Sequence, residues 1–350
     1  MSQKNLVKTE SRQFSLPDYF PSLIEPQLLA LGYSLEKPKP LADAIKQLSD
    51  FFIENPKKAT PWHQKWAQAA YLAYFFPLNW LRAEAVLREG NRFNFFEGMK
   101  SYLDFGSGLG AYSFLLAEMG LSKGVCIDHS VDALHLHEDL MKRFSKPTSI
   151  RWYEAFNGVV DSNTEVGIFS YVFTELEKLP KWCLRMESLV IVEPSTRDDG
   201  RHLMELREFF MDEGYSVWAP CLHQLECPLL EHSKKDWCHD RIFFNQPEWF
   251  QKIEAFLPMK NKTITFSYLL LRKTEPPFPA DSAARVVGDL LDENGKYRQM
   301  ICRAEHREFL SWLKKDFTEE PTSKRGEIID IPMDVQNVSN ELRYPPPKKH

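Results

Sequence analysis

Apolar and polar positions follow two different periods along this chain. Residues 41–55 and 63–88 carry apolar side chains at helical spacing, and we predict an N-terminal helical region over residues 1–95. Several prolines before residue 41 limit helix formation there. From residue 101 onward, short apolar runs alternate with helical stretches, which predicts a doubly wound α/β sheet over residues 96–273. The predicted strands are 101–104, 124–128, 149–153, 165–171, 188–194, 215–219 and 262–273.

The pattern changes after residue 273, where the proline-rich linker EPPFPAD begins. Residues 285–303 predict two strands around an Asn294–Gly295 turn, since Asn-Gly is the strongest short hairpin signal. EFLSWLKKDF is interpreted as a short helix and RGEIIDIP as one more strand. These elements predict a small α+β appendage over residues 274–334, followed by a disordered tail over residues 335–350.

Composition narrows the possible partners. With 43% hydrophobic residues the 350-residue chain can bury a full core, and no apolar run approaches the roughly 20 residues of a membrane span. We therefore expect a cytosolic protein without a membrane partner. The net charge of −5 excludes an overall polycationic surface, so contact with RNA requires local basic patches. The candidate cations lie in the appendage: Arg298, Arg303, Arg307, Lys314 and Lys315.

The stretch SYLDFGSGLG predicts a strand, a glycine turn and the start of a helix. Gly106 and Gly108, with Ala111, formally match the dinucleotide fingerprint G-x-G-x-x-A. Asp104 at the strand end, followed by Gly106, Gly108 and Gly110, matches an S-adenosylmethionine loop instead. A carboxylate at this position repels a pyrophosphate but attracts the ammonium group of a methionine. The sequence therefore predicts an S-adenosylmethionine-type site.

Other candidate ligand residues end the neighbouring strands. Asp128 ends the second strand, where an acid accepts hydrogen bonds from ribose hydroxyls, and Ser170 ends the fourth strand, at the adenine or methyl-acceptor edge. SYVFTEL lacks the Pro-Pro-aromatic pattern of adenine amino-group methylation. Pro220–Cys221 resembles the cytosine methylation pair but follows the sixth strand. We therefore name no catalytic residue.

A second constellation lies at residues 219–245, where Cys221, Cys227 and Cys238 occur within APCLHQLECPLLEHSKKDWCHD. Six cysteines in a cytosolic chain are expected to be reduced, and three thiolates in one loop need a cation to share their charge. His223, His232 and His239 are interleaved with them. A structural zinc ion held by three cysteines and a histidine or a fourth cysteine fits, and so does a cubane iron–sulfur cluster. The spacing matches no paired CxxC ribbon. Cys302 in the appendage is the best candidate for a fourth ligand.

The sequence resembles the methyltransferase-like family associated with the small subunit of the mitochondrial ribosome, which also has bacterial members. The resemblance covers roughly residues 60–310 and is carried by DFGSGLG, SYVFTEL, LVIVEPST, APCLHQLECP with DWCH, and FSYLLLRK.

It implies a class I S-adenosylmethionine-dependent methyltransferase (Rossmann-like) fold and a role in small-subunit assembly, with ribosomal RNA as partner. It also implies a [4Fe-4S] cluster on Cys221, Cys227, Cys238 and Cys302. We expect a protein that is monomeric when free, cytoplasmic in a bacterium and mitochondrial in a eukaryote. The alternatives are an active RNA methyltransferase and a small-molecule methyltransferase with structural zinc.

Overall fold

The computed structural model describes residues 11–55, 58–155, 165–173, 176, 179–277, 282–304 and 306–346. Its N-terminal part is helical, as predicted. After the two-residue strand β1 (Gln13–Phe14) come α1 (Phe20–Leu31), α2 (Pro38–Glu54), α3 (Lys65–Ala70), a π-helical turn (Tyr71–Phe75) and α4 (Phe76–Arg92).

The expectation that prolines limit helix formation before residue 41 is wrong for α1, which runs over 12 residues. Pro21 lies in the first turn of this helix, where its missing N–H is not needed. Pro26 lies inside the helix, and one side of α1 is nevertheless buried through Phe20, Ile24 and Leu28. Burial of this apolar face therefore outweighs the hydrogen bond that Pro26 cannot make.

The central part alternates strands and helices. Its elements are β2 (Ser101–Phe105), α5 (Ala111–Glu118), β3 (Lys123–Ile127), α6 (Val131–Arg143), β4 (Ser149–Tyr153), β5 (Val166–Ser170), a 3₁₀ turn (Lys181–Arg185), β6 (Ser188–Glu193), α7 (Arg197–Asp212), β7 (Ser216–Ala219), α8 (Pro228–His232), β8 (Asp240–Phe244), α9 (Glu248–Glu254) and β9 (Thr263–Arg272).

The strand order identifies the fold. Five parallel strands lie in the order β4-β3-β2-β5-β6, and the antiparallel β9 follows β6 and also pairs with β7. This is the sheet of class I S-adenosylmethionine-dependent methyltransferases, so the predicted fold class is confirmed. The direction of winding reverses between β2 and β5, and ligands of doubly wound sheets bind at such a reversal. Strands β8 and β1 extend the sheet beside the first half of β9.

A second, seven-stranded sheet forms the C-terminal part. Its strands are β10 (Ala283–Val286), β11 (Leu291–Glu293), β12 (Lys296–Cys302), β13 (Glu308–Leu313), β14 (Ile328–Asp330), β15 (Gln336–Val338) and β16 (Glu341–Arg343). They lie in the order β14-β10-β12-β13-β16-β15, with β11 on β12. The hairpin at Asn294–Gly295 is confirmed, since Glu293 pairs with Lys296.

Two predictions for this region are wrong. Residues 308–313 form strand β13 rather than a helix, and β13 pairs with β12 over six residues. The tail predicted to be disordered from residue 335 contains β15 and β16, and β16 pairs with β13; residues 347–350 lie outside the described residues. The appendage is thus a β-sheet rather than an α+β unit. No helix in the described ranges combines the length and apolar content needed to cross a membrane.

Candidate cofactor site and cysteine cavity

The glycine turn after β2 is held to the end of β3 by backbone hydrogen bonds. The amides of Gly106 and Ser107 donate to the carbonyl oxygen of Ile127 at 2.8 and 3.0 Å. The amide of Gly108 donates to Oδ2 of Asp128, and the amide of Ser130 donates to Oδ1, both at 2.9 Å. Asp128 therefore positions both the turn and the start of α6. Because each carboxylate oxygen can accept more than one hydrogen bond, Asp128 keeps capacity for a ligand.

The three glycines of the turn are required for different reasons. All three have positive φ angles, from 50° to 71°, which side chains rarely adopt. A Cβ on Gly106 would lie 2.5 Å from Cγ2 of Val172, and one on Gly110 would lie 2.0 Å from Nε2 of His137. Packing within the protein thus demands glycine at these two positions. A Cβ on Gly108 would meet only the hydroxyl of Tyr71, at 3.7 Å, so this glycine leaves open space.

Asp104 is 2% exposed and lies at the centre of the site. Burial raises the pKa of its carboxyl group to about 8, and repulsion from Asp128 contributes to the same shift. The free protein therefore carries a largely protonated Asp104 at pH 7. A cation placed beside this group would favour its ionised form, which fits the role predicted for Asp104 toward an ammonium group.

Residues of the N-terminal helices also reach this site, and sequence reasoning did not find them. The side-chain amide of Asn79 donates to Oη of Tyr71 at 3.1 Å, and Nη1 of Arg82 donates to Oδ1 of Asn79 at 2.8 Å. Tyr71 in turn faces Gly108. These residues precede Gly106 by 24 residues or more, and their helical spacing alone predicts only packing.

The end of β5 completes the site. Ser170 is half-buried at the carboxyl end of the strand, where the sequence places it. Tyr171, the next residue, has a φ of 60°, an uncommon conformation for a bulky side chain. The guanidinium carbon of Arg82 lies 5.4 Å from the centre of its ring. Nearby, Oε1 of the buried Glu193 accepts the amides of Val172 and Phe173 at 3.2 and 2.9 Å.

The structure brings the four predicted metal-binding cysteines to one place. They line a cavity of about 40 Å³, which is larger than the space that a single water molecule needs. The four cysteines are Cys221, Cys227, Cys238 and Cys302. None of the four is in a disulfide. The other two cysteines, Cys126 and Cys183, are buried in the apolar core. Residues far apart in the sequence therefore converge on this cavity.

Two polar side chains that also line the cavity are Arg207 and His223. The buried Arg207 on α7 donates to the carbonyl oxygens of His223 and Leu225 at 3.2 and 2.8 Å, so it holds the cysteine-bearing loop. Nε2 of His223 lies 3.4 Å from Sγ of Cys302. Of the other two loop histidines, His239 also lines the cavity, whereas His232 does not.

Three thiols of the cavity, those of Cys227, Cys238 and Cys302, resist ionisation in the metal-free protein. Burial, followed by repulsion from Cys221, raises the pKa of Cys227 to about 11. The pKa of Cys238 and that of Cys302 are also raised, by the same two causes. Among the described residues, no group of three or more His, Cys, Asp or Glu side chains is arranged to hold a single metal ion.

Most of the cations proposed to face RNA are paired within the protein. Four of the five form ion pairs with carboxylates: Arg298 with Glu341 and Glu293, Arg303 with Glu308, Arg307 with Asp236, and Lys314 with Asp292. Lys315 is exposed. The C-terminal sheet therefore presents less free positive charge than its sequence suggests.

Comparison with protein families matches residues 65–315 to the family described as mitochondrial small ribosomal subunit Rsm22. This match spans most of the chain, and the protein belongs to that family. A comparison with curated proteins finds no significant match.

Several solved methyltransferases share part of the fold. The precorrin-6y C5,15-methyltransferase of Geobacter metallireducens is 14% identical (TM-score 0.37; 55% of this chain and 88% of that chain). TrmK of M. capricolum, solved with S-adenosylhomocysteine, is 9% identical (TM-score 0.34; 57% and 75%). The methyltransferase domain of bacterial CtHen1 is 14% identical (TM-score 0.35; 57% and 100%). Because the structural similarity to these proteins is low, the fold assignment rests on the strand order.

Proposed function

We propose that this protein binds S-adenosylmethionine, carries a [4Fe-4S] cluster and acts on the small ribosomal subunit through ribosomal RNA. The observation that carries the proposal is the pairing of Asp104 and Asp128 around an open Gly108, at the winding reversal of the sheet. Membership of the small-subunit family supplies the proposed partner. The proposed compartment follows the same membership: the mitochondrion in a eukaryote and the cytoplasm in a bacterium.

The chemistry of the glycine turn supports S-adenosylmethionine over a dinucleotide. Two carboxyl groups face the turn, and a pyrophosphate would add negative charge to a site that already raises the pKa of Asp104. The ammonium and sulfonium groups of S-adenosylmethionine have the opposite charge. Asp128 has capacity left for a ribose hydroxyl, and the end of β5 at Ser170 lies beside the same turn.

Calorimetric titration with S-adenosylhomocysteine and with NADH tests this choice directly. We expect binding of S-adenosylhomocysteine and none of NADH, and we expect Asp128→Asn to weaken the former at least tenfold. Asp132→Asn, on the exposed first turn of α6, serves as the matched control. Binding of NADH alone would overturn the cofactor assignment.

The cysteine cavity supports a cluster larger than one ion. Four thiolates around a single zinc ion lie about 2.3 Å from the metal and hence roughly 3.8 Å from one another. The described residues contain no such close group, whereas the same four cysteines line one larger space. A [4Fe-4S] cluster also takes four cysteine ligands. Bound there, it would act as a covalent link, since metal binding supplies folding free energy.

Metal and sulfide analysis of protein purified without oxygen tests the cluster. We expect about four irons and four sulfides per chain, as a cubane cluster requires. Cys302→Ser should lose them, while Cys183→Ser, which alters a buried cysteine outside the cavity, should keep them. One zinc per chain without sulfide would overturn the cluster and favour a methyltransferase with structural zinc.

Sedimentation with purified ribosomal subunits tests the proposed partner. We expect the protein to migrate with small subunits but not with large ones, and alone as a monomer. Because RNA contacts release counterions, binding should weaken as salt rises. Equal association with both subunits, or with neither, would contradict a role specific to the small subunit.

A further inference from the structure

Between α4 and the carboxyl end of β5 lies a group of polar side chains to which the proposed function gives no role. Its central member is Arg82 on α4, flanked by Asn79 one turn earlier and by the ring of Tyr171. Tyr112 on α5 lies on the side toward Asp104. Through Tyr71, whose hydroxyl faces Gly108, this group borders the glycine turn.

Arg82 has unused hydrogen-bonding capacity. Among the described residues, Arg82 takes part in no ion pair, and its side chain donates one hydrogen bond, from Nη1 to Oδ1 of Asn79. Its Nε atom is buried and lacks a hydrogen-bond partner within the part of the chain that the structure describes. A buried donor without an acceptor costs about 1–3 kcal/mol. A carboxylate is the natural acceptor, because it matches the planar fork of a guanidinium with two parallel hydrogen bonds.

Tyr112 supplies a second, independent observation. Its side chain is 3% exposed, and its hydroxyl is buried without a hydrogen-bond partner in the described ranges. Tyr112 interacts electrostatically with both Asp104 and Tyr171. Tyr112 is therefore close both to the carboxyl group of Asp104 and to the ring of Tyr171, against which Arg82 packs. The buried acid Asp104 and the basic Arg82, which has no ion-pair partner among the described residues, therefore both lie near Tyr112.

We propose that Arg82 binds the α-carboxylate of the methionine part of S-adenosylmethionine, with the hydroxyl of Tyr112 as a second donor. Asp104 then takes the α-ammonium group, so that the two ends of the zwitterion meet two protein groups of opposite charge. This inference rests on the proposed S-adenosylmethionine site. Asn79 and Tyr71 position the guanidinium group through the hydrogen bonds already described.

The competing interpretation is that Arg82 merely packs on Tyr171. Cation–π contacts of this kind stabilise a fold without any ligand. A packing role would affect every ligand of the site equally, because it acts through the shape of the site. A carboxylate-binding role affects only ligands that carry a carboxylate. Ligands that differ in this one group therefore separate the two.

Calorimetric titration of the full chain with S-adenosylmethionine and with decarboxylated S-adenosylmethionine is the test. We expect wild type to prefer the carboxylated ligand by about 10- to 100-fold, the range of a charge-assisted pair. Arg82→Met should abolish this preference by weakening only the carboxylated ligand, and Arg82→Lys should restore part of it. Asp104→Asn should weaken both ligands, since both carry the ammonium group.

Arg88→Met is the matched control, because Arg88 lies on the same helix and pairs with Glu84. It should leave both affinities within about twofold. Equal losses for the two ligands in Arg82→Met, or an unchanged preference, would overturn the role of Arg82 while the cofactor site stands. Failure of wild type to bind either ligand would overturn the cofactor site itself, and this inference with it.

Discussion

Asp104, near the end of β2, is the residue proposed to bind the ammonium group of the ligand, and its carboxyl group also makes the stability of the ligand-free protein depend on pH. Its carboxyl group is buried beside Asp128, and burial raises its pKa to about 8. In the unfolded chain the same group has an ordinary pKa near 3.9. At pH values between these two pKa values, the carboxyl group of Asp104 is protonated in the folded protein and ionised in the unfolded chain. The stability that Asp104 contributes is therefore fully present below about pH 4 and is lost as pH rises through 8.

We predict that Asp104→Asn stabilises the ligand-free protein increasingly between pH 4 and 8. The amide cannot ionise, so it avoids the cost of a buried charge. The shift of the pKa sets an upper limit of about 6 kcal/mol at about 1.4 kcal/mol per pKa unit. Urea unfolding at pH 5, 6, 7 and 8 measures this difference. A variant less stable than wild type at pH 8 would show that the ionised carboxylate is well satisfied in the folded protein.

Most of the residues that sequence reasoning could place at the cofactor site lie close together in the sequence. Asp104, the glycines and Asp128 belong to one strand–turn–helix–strand segment, whose geometry follows from local spacing. The Arg82 side chain joins them only because α4 packs across α5, and no local signal records that contact. The cysteine loop was predicted from its unusual composition, whereas Arg207 at the same cavity was not.

At the level of elements, the glycine turn and α6 fit together through one close contact. His137 on α6 is fully buried and points its Nε2 atom toward Gly110, while Nδ1 accepts a hydrogen bond from Nε1 of Trp152 at 3.3 Å. Burial lowers the pKa of His137 to about 3, so its ring is neutral in the folded protein at pH 7. The contact leaves no space for a side chain at residue 110.

We predict that Gly110→Ala destabilises the protein by about 2–5 kcal/mol. The left-handed conformation costs an alanine about 1–2 kcal/mol, and the clash with His137 adds about 1–3 kcal/mol. Gly108→Ala, which shares the conformation but not the clash, should cost about 1–2 kcal/mol. Guanidinium unfolding of both variants measures the difference. Adding His137→Ala should lessen the additional cost of Gly110→Ala; purely additive effects would contradict the contact.

Strand β13 shows where element prediction fails. The apolar positions of EFLSWL suit a helix face, yet five of its six residues are buried in a strand. Pairing with β12 on one side and with β16 on the other decides the outcome, because it satisfies the backbone of both edges. The partner β16 lies in the segment predicted to be disordered. Long-range strand pairing thus overrides local preference in both segments.

In the whole molecule, the C-terminal sheet is joined to the methyltransferase-fold core by buried polar contacts. Arg285 on β10 forms a buried ion pair with Glu89 on α4 and donates to the carbonyl oxygens of Pro220 and Gly326 at 2.5 and 2.8 Å. Pro220 adjoins the cysteine loop, and Arg285 pairs in register with Cys302. The ion pair and the proposed cluster therefore fasten the same two parts of the chain at neighbouring points.

We predict that Glu89→Gln destabilises the protein by about 3–5 kcal/mol, because it leaves the buried Arg285 without its counter-charge. Arg285→Met in the Glu89→Gln background should recover part of the loss, since no buried charge then remains. Urea unfolding measures the stability of both variants. The control is Glu84→Gln, which removes a half-exposed ion pair on the same helix and should cost less than about 1 kcal/mol.

Iron content should fall in Glu89→Gln but not in Glu84→Gln if the two sheets must be aligned for Cys302 to reach the other cysteines. A Glu89→Gln protein with wild-type stability would show that backbone contacts alone hold the second sheet in place.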